Sequence, residues 1–153
     1  WKIPSFARSS KKKALHSLGV LKTKNVPAAW LGNPVFLKGL DYEQDKAFPL
    51  HDVFAKATTA EIKLYIDAFV VFNKQLLEKG FIDKGFNITK NFGLNKAGEI
   101  ILIDIGELFD DPVRIKKQFI DRAWDKSYVA GNIADKEAQV YFVQKMDEQF
   151  GIK

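Results

Sequence analysis

The chain has 153 residues, about the size of one domain, and its 46% hydrophobic and 13% aromatic content excludes a largely disordered chain. It contains no cysteine, which excludes disulfide bonds, thiolate metal sites and a cysteine nucleophile. The formal net charge is +5, and no apolar stretch approaches the roughly 20 residues that a membrane-spanning helix needs.

The positive charge is concentrated at the N-terminal end of the chain. Residues 1–40 contain eight lysines and arginines and no acidic residue, whereas all 19 acidic residues lie further along. Such a basic segment indicates an anionic partner, a basic face in solvent, or docking against the more acidic remainder of the chain. An anionic partner would be contacted by Lys11, Lys12 and Lys13.

The first third of the chain is predicted to contain one helix and two short strands. Apolar residues recur at helical spacing over residues 5–24, and an Asn-Val-Pro sequence ends the pattern. Strands are expected over residues 28–31 and 35–40, on either side of a Gly-Asn-Pro turn. A polar connector over residues 41–46 and a short helical turn from Pro49 follow.

The strongest helical pattern runs from Thr59 to Lys79. Thr58 and Glu61 have the spacing of a capping box, in which each side chain satisfies a free backbone N–H group of the first turn. Gly80 can adopt the left-handed conformation that ends a helix. Because apolar residues recur at steps of three and four, we expect this helix to lie in the core.

A hairpin and two further helices are predicted after this helix. Residues 91–94 should pair with residues 99–104 across a polar loop, and the apolar run Ile-Ile-Leu-Ile is typical of a buried strand. Asp111 and Pro112 are typical of a helix start, and that helix is expected to continue to Trp124. The last helix is expected over residues 135–149.

The hairpin also carries the residues that indicate a chemistry. Asn91 and Asp104 lie at corresponding ends of its two strands, where an amide oxygen and a carboxylate suit Mg²⁺. Gly106 lets the chain turn there without a side chain that would obstruct the ion. His16 and His51 lack the spacing of zinc ligands, and no Walker or dinucleotide-binding glycine pattern is present. The alternative is that Asn91 is a turn residue and Asp104 a strand-end cap.

The segment from Leu76 to Glu107, LLEKGFIDKGFNITKNFGLNKAGEIILIDIGE, resembles the C-terminal lobe of the protein-kinase-like superfamily. In that family, the asparagine of H-R-D-x-x-x-x-N and the aspartate of D-F-G hold magnesium. Asn91 matches the asparagine and Asp104 the aspartate, 13 positions apart as in the family. The resemblance covers about residues 26–108. It implies Mg²⁺ and ATP as ligands, with Gly106 beside the nucleotide.

The sequence departs from the family pattern at the catalytic base and at the phosphate-binding loop. Phe86 stands at the position of the base, and Asp83, three residues earlier, is the acidic loop residue that a reshaped loop would bring into its place. The Gly-rich loop and the strand lysine of the family are missing. We therefore expect a degenerate phosphotransferase or pseudokinase, which is an enzyme only if an N-terminal lobe precedes this chain.

The expected fold is α+β and predominantly helical. Residues 49–153 would form a kinase-like C-lobe with the catalytic-loop hairpin, and residues 1–48 would be a basic segment left from a truncated N-terminal lobe. The alternative function is a non-enzymatic basic module that binds an anionic partner through its lysines. Nucleic acid is disfavoured as that partner, because aromatic residues do not alternate with the basic ones.

Overall fold

The computed structural model describes residues 8–36 and 42–152, which form six α-helices and three small antiparallel sheets. The expected α+β, predominantly helical class is confirmed. The helices are α1 (Arg8–Thr23), α2 (Leu50–Lys56), α3 (Thr59–Glu78), α4 (Ile88–Asn91), α5 (Pro112–Ile120) and α6 (Lys136–Phe150). The strands are β1 (Val35–Phe36), β2 (Tyr42–Glu43), β3 (Phe48–Pro49), β4 (Ile82–Asp83), β5 (Phe92–Leu94), β6 (Ile100–Leu102) and β7 (Leu108–Phe109).

The N-terminal segment contains the predicted helix but lacks the first predicted strand. Ala28–Leu31 is a 3₁₀ turn, because the Pro27 carbonyl accepts the Trp30 N–H at 3.0 Å and Gly32 ends the turn at a φ of +68°. The second predicted strand is confirmed at β1, and residues 37–40 of it lie outside the described residues. The expected polar connector contains β2, which pairs with β1.

Helix α3 is the central helix of the core. The Thr58 hydroxyl accepts the Glu61 N–H at 3.2 Å, and the Thr58 N–H donates to the Glu61 carboxylate at 2.9 Å, which confirms the capping box. Gly80 adopts the predicted left-handed conformation at a φ of +92°. The helix packs along α6, where the rings of Phe69 and Phe142 lie 5.9 Å apart between their centres.

The predicted hairpin is present as β5 and β6, with β3 on the other side of β5. Phe92 lies opposite Leu102. A Cβ atom at Gly93 would lie 2.7 Å from the Phe48 carbonyl oxygen, which is closer than side chains come, so only glycine lets β3 approach. The sheet therefore ties the hairpin to the start of α2.

Strands β4 and β7 join the loop after α3 to the segment after the hairpin. Asp83 lies opposite Leu108 in this antiparallel pair. Helix α1 packs over β7, and the buried Ser17 hydroxyl accepts the Leu108 N–H at 2.9 Å. This arrangement brings residues from the N-terminal helix beside the hairpin end.

Helix α5 ends earlier than the sequence predicts, at Ile120 and not at Trp124. Arg122 adopts a left-handed conformation at a φ of +48°, which breaks the helix, and Trp124 lies fully buried in a separate 3₁₀ turn. Two guanidinium nitrogens of Arg122 donate to the Asp147 carboxylate at 2.8 Å each, and the Trp124 indole N–H donates to it at 2.9 Å. Asp147 on α6 therefore holds the turn after α5.

Asp147→Asn is expected to lower the free energy of unfolding by about 1–2 kcal/mol near pH 7, because the amide presents an NH₂ group to one guanidinium nitrogen. Hydrogen bonding from Arg122 holds the pKa of Asp147 below its usual range. The ionised Asp147 carboxylate therefore contributes its full share of stability above the ordinary aspartate pKa, and this stability is lost as the pH falls through the lowered pKa of the folded protein. Urea unfolding at about pH 7 and pH 2 checks this. A difference between the two proteins that persists in acid would contradict it.

One hydrophobic core runs through the described residues, from Val20 on α1 to Phe150 at the end of α6. This core includes side chains from both of the predicted units, residues 1–48 and residues 49–153. The division of the chain into these two units stays a prediction. Among the described residues, no helix has the length and apolar character needed to cross a membrane.

Candidate functional site

A cleft of about 570 Å³ opens where the loop after α3, the end of the hairpin and the turn after α5 meet. We call this cavity the cleft. Its volume lies within the range of small-molecule sites in proteins. The residues that line it and enter the argument below are Lys13, Lys84, Asn87, Asn91, Asp104, Gly106 and Glu107.

The backbone holds the two predicted metal ligands, Asn91 and Asp104, side by side. The Asn91 carbonyl oxygen accepts the Ile103 N–H at 2.9 Å and the Asp104 N–H at 3.3 Å. Asn91 is the last residue of the short helix α4, where the sequence had predicted the first residue of a strand. Helix α4 places Asn91 in the lining of the cleft, to which Asp104 also belongs.

Gly106 follows Asp104 in the cleft, and its expected place beside the nucleotide stays a prediction. Its N–H donates to Asp104 Oδ1 at 2.9 Å, and a Cβ atom built on it would lie 3.1 Å from that same oxygen. Among the described residues, Asp104 Oδ2 has no hydrogen-bond partner. The Asp104 carboxylate is therefore anchored through one oxygen and can bind a cation through the other.

Asp83 lies beneath the cleft and does not line it. Its carboxylate is fully buried, and Asn91 Nδ2 donates to both of its oxygens at 3.1 Å. The Asn87 N–H donates to Oδ2 at 3.3 Å. Burial raises the pKa of Asp83 well above its usual range, and these hydrogen bonds oppose the shift only in part. Because the side-chain NH₂ group of Asn91 is held by Asp83, the side-chain oxygen of Asn91, Oδ1, is the atom left to bind a cation.

The residue that the kinase-like resemblance aligns with a catalytic base, Phe86, lies in the core. The Phe86 side chain is fully buried, with its ring centre 5.4 to 6.0 Å from those of Phe119, Trp124 and Phe150. Its backbone has a φ of +54°, which is rare for a bulky residue and turns the ring inward. Asp83, which would need a reshaped loop to act as the base, is fully buried and does not line the cleft. Its role as a base stays a prediction.

Two lysines lie at the edge of the cleft around one carboxylate. Lys84 Nζ lies 3.1 Å from Glu107 Oε2, and Lys13 Nζ lies 3.6 Å from Glu107 Oε1. Lys13 reaches this place because α1 packs over β7. Lys13 was expected to contact an anionic partner, whereas Lys84 and Glu107 were missed, because only the β4–β7 pairing brings them together.

The two histidines, which the sequence analysis did not assign to a metal site, do not line the cleft. His16 is exposed and contacts Asp110 at 3.0 Å, and His51 is exposed on α2. The Lys11 side chain lies outside the part of the chain whose side chains are described. Among the described residues there is no group of three or more histidines and carboxylates that would hold a metal. A cation held by Asn91 and Asp104 would therefore need phosphate or water oxygens as further ligands, as Mg²⁺ commonly does.

The sequence matches no protein-family model, and no curated protein matches it significantly. The interpretation of the cleft therefore depends on the residues that form it.

Proposed function

We propose that this chain is a kinase-like domain of the degenerate, pseudokinase type, and that it binds a Mg²⁺–nucleotide such as ATP in the cleft. The observation that carries the proposal is the backbone contact between the Asn91 carbonyl and the Asp104 N–H. It places an amide and a carboxylate together at the end of a hairpin, in the order and spacing of the family motif.

The chemistry of the cleft residues supports this assignment. Asn91 Oδ1 and Asp104 Oδ2 are hard oxygen donors, and Mg²⁺ bound by them would neutralise charge on the nucleotide phosphates. Lys13 and Lys84 lie on the same wall and carry positive charge toward those phosphates. The order of long capped helix, loop, hairpin and paired metal ligands agrees with a kinase-like C-lobe.

The same residues argue for binding without efficient phosphoryl transfer. Phe86 fills the core where the family has its base, and the Asp83 carboxylate is buried under Asn91. The sequence has no Gly-rich loop to cover the phosphates. Because phosphoryl transfer depends on positioning the phosphates, we expect ATP to be bound and turned over slowly or not at all.

Thermal unfolding of the protein with ATP, with and without Mg²⁺, tests the proposal. We expect the midpoint to rise with ATP and Mg²⁺ together and to change little with either alone, because Asn91 and Asp104 would hold Mg²⁺ and the metal would supply the positive charge that favours binding of the phosphates. No rise with both ligands at millimolar concentrations would overturn the proposal.

Asp83→Ala is expected to weaken Mg²⁺–ATP binding by about 10–100-fold, because residues that orient metal ligands commonly contribute this much. The variant leaves Asn91 Nδ2 without its acceptor, so the amide loses its fixed orientation. Titration calorimetry measures the affinity, and the conservative variant Asp83→Asn should recover part of it. If Asp83 is instead a base, Asp83→Ala would keep the affinity and remove only turnover.

A further inference from the structure

A second cavity of about 500 Å³ adjoins the cleft, between α1 and α5, and we call it the basic groove. Lys13, Lys84, Glu107 and Gln118 line both cavities. Glu107 is the only carboxylate among the described residues that line the groove. The basic side chains that line it are Lys12, Lys13, His16, Lys84, Arg114 and Lys117.

The positive charge of the basic groove is only partly neutralised. Glu107 is shared between two lysines, and Lys117 pairs with Asp121 at 2.8 Å. Lys12 and Arg114 make no ion pair within the described residues. The groove therefore carries more positive charge than its own carboxylates offset, and an anion would supply the missing partner.

Arg114 is held in a position suited to binding phosphate. Its guanidinium lies over the Phe109 ring, 4.2 Å from the ring centre. Stacking of this kind keeps the guanidinium plane fixed while its N–H groups stay available at the edge, and that edge matches two phosphate oxygens. Lys117 lies one helical turn further along α5 and lines the same groove.

We infer that the basic groove binds a small phosphorylated molecule, as the second ligand of the nucleotide site proposed above. The inference rests on that proposed function for the role of the ligand, because Lys13 and Lys84 are shared between the two cavities. A volume of about 500 Å³ suits a small molecule. Phe109 is the one aromatic residue among the described residues that line the groove, and its ring is covered by Arg114, so the groove lacks the series of free aromatic faces of a single-strand platform.

Titration calorimetry with inorganic tripolyphosphate in the absence of Mg²⁺ tests the groove. We expect wild-type protein to bind it, and the double variant Arg114→Gln/Lys117→Gln to bind it at least about tenfold more weakly, since two charged donors are lost. Arg114→Lys should lose part of the affinity, because it keeps the charge and removes the planar guanidinium. Unchanged affinity in the double variant would overturn the inference.

The double variant Lys96→Gln/Lys145→Gln is the matched control. It changes the net charge by the same amount, with one residue in the hairpin loop and one on α6, and neither lines the groove. We expect its affinity for tripolyphosphate to stay within about twofold of wild type, since the attraction of charges outside the groove is screened by salt. An equal loss in both double variants would mean non-specific attraction and would overturn the inference.

Two further comparisons separate this inference from the proposed function and from other anions. Arg114 and Lys117 line only the groove and Asp104 lines only the cleft. Asp104→Ala should therefore keep tripolyphosphate binding. This expectation does not depend on whether the wild-type protein binds Mg²⁺–ATP, so the inference and the proposed function can fail separately. Single-stranded DNA and vesicles containing phosphatidylinositol phosphates are tested in the same way. If either binds more tightly than tripolyphosphate, and if Arg114→Gln/Lys117→Gln loses that binding, the assignment to a small molecule is overturned.

Discussion

Phe86→Ala is expected to lower the free energy of unfolding by about 3–5 kcal/mol, the usual cost of removing a fully buried phenylalanine. The ring is fully buried among Phe119, Trp124 and Phe150, so the truncation leaves a cavity that three rigid neighbours cannot fill. Phe86 has a positive φ, which is strained for alanine as well as for phenylalanine. The substitution therefore relieves no backbone strain that would offset the loss of packing.

Urea denaturation of wild type and Phe86→Ala measures this loss, and Phe48→Ala is the matched control. Phe48 is 49% exposed on the edge strand β3, so its truncation should cost less than about 1.5 kcal/mol. Equal losses in the two variants would contradict the role assigned to Phe86. Phe86→Asp, which introduces the aspartate that the proposed kinase-like assignment would place there, is expected to destabilise the fold further, because it buries a carboxylate among aromatic rings.

Asp104→Ala is expected to abolish the Mg²⁺-dependent stabilisation by ATP. Ligand at about 100 times its dissociation constant stabilises a folded protein by roughly 2.7 kcal/mol. For a domain of this size, that corresponds to a rise of roughly 5–10 °C in the unfolding midpoint. Asp104 supplies the carboxylate of the proposed metal site, and the remaining Asn91 amide is too weak a ligand to hold Mg²⁺ alone.

The quantity to compare is the rise in unfolding midpoint that ATP and Mg²⁺ cause in each protein. The midpoints themselves are not compared, because Asp104→Ala also removes the hydrogen bond from the Gly106 N–H and so changes the stability of the free protein. Asp52→Ala is the matched control, since Asp52 is an exposed carboxylate on α2 that does not line the cleft. It should keep the full shift. A full shift in Asp104→Ala would show that the nucleotide binds without this carboxylate.

The sequence predicts best those elements whose signals are local. Helix α3 is predicted by its capping box and apolar spacing. The last helix is predicted over residues 135–149 and is observed as α6 over Lys136–Phe150, where the structure adds that the Asp135 carboxylate accepts the Ala138 N–H at 3.0 Å. The hairpin is predicted by a polar loop between two apolar runs, and the structure confirms the pairing of the two segments, over Phe92–Leu94 and Ile100–Leu102. In each case the residues that decide the conformation lie within a few positions of one another.

Predictions fail where distant residues decide the conformation. The end of α5 depends on Arg122, whose left-handed backbone is held by Asp147, 25 positions later. The burial of Asp83 depends on Asn91 and on the pairing of β4 with β7, for which a single sequence holds no signal. The candidate metal pair was found because its spacing resembles a family motif, whereas Lys84 and Glu107 carry no such motif.

We expect the two cavities to be thermodynamically linked, because Lys13 on α1 lines both of them. Ser17 fixes the helix to the Leu108 backbone, and Lys13, one turn earlier, forms part of both cavities. A ligand that contacts Lys13 in one cavity should therefore change the affinity of the other cavity for its own ligand, and the change should be by the same factor in both directions.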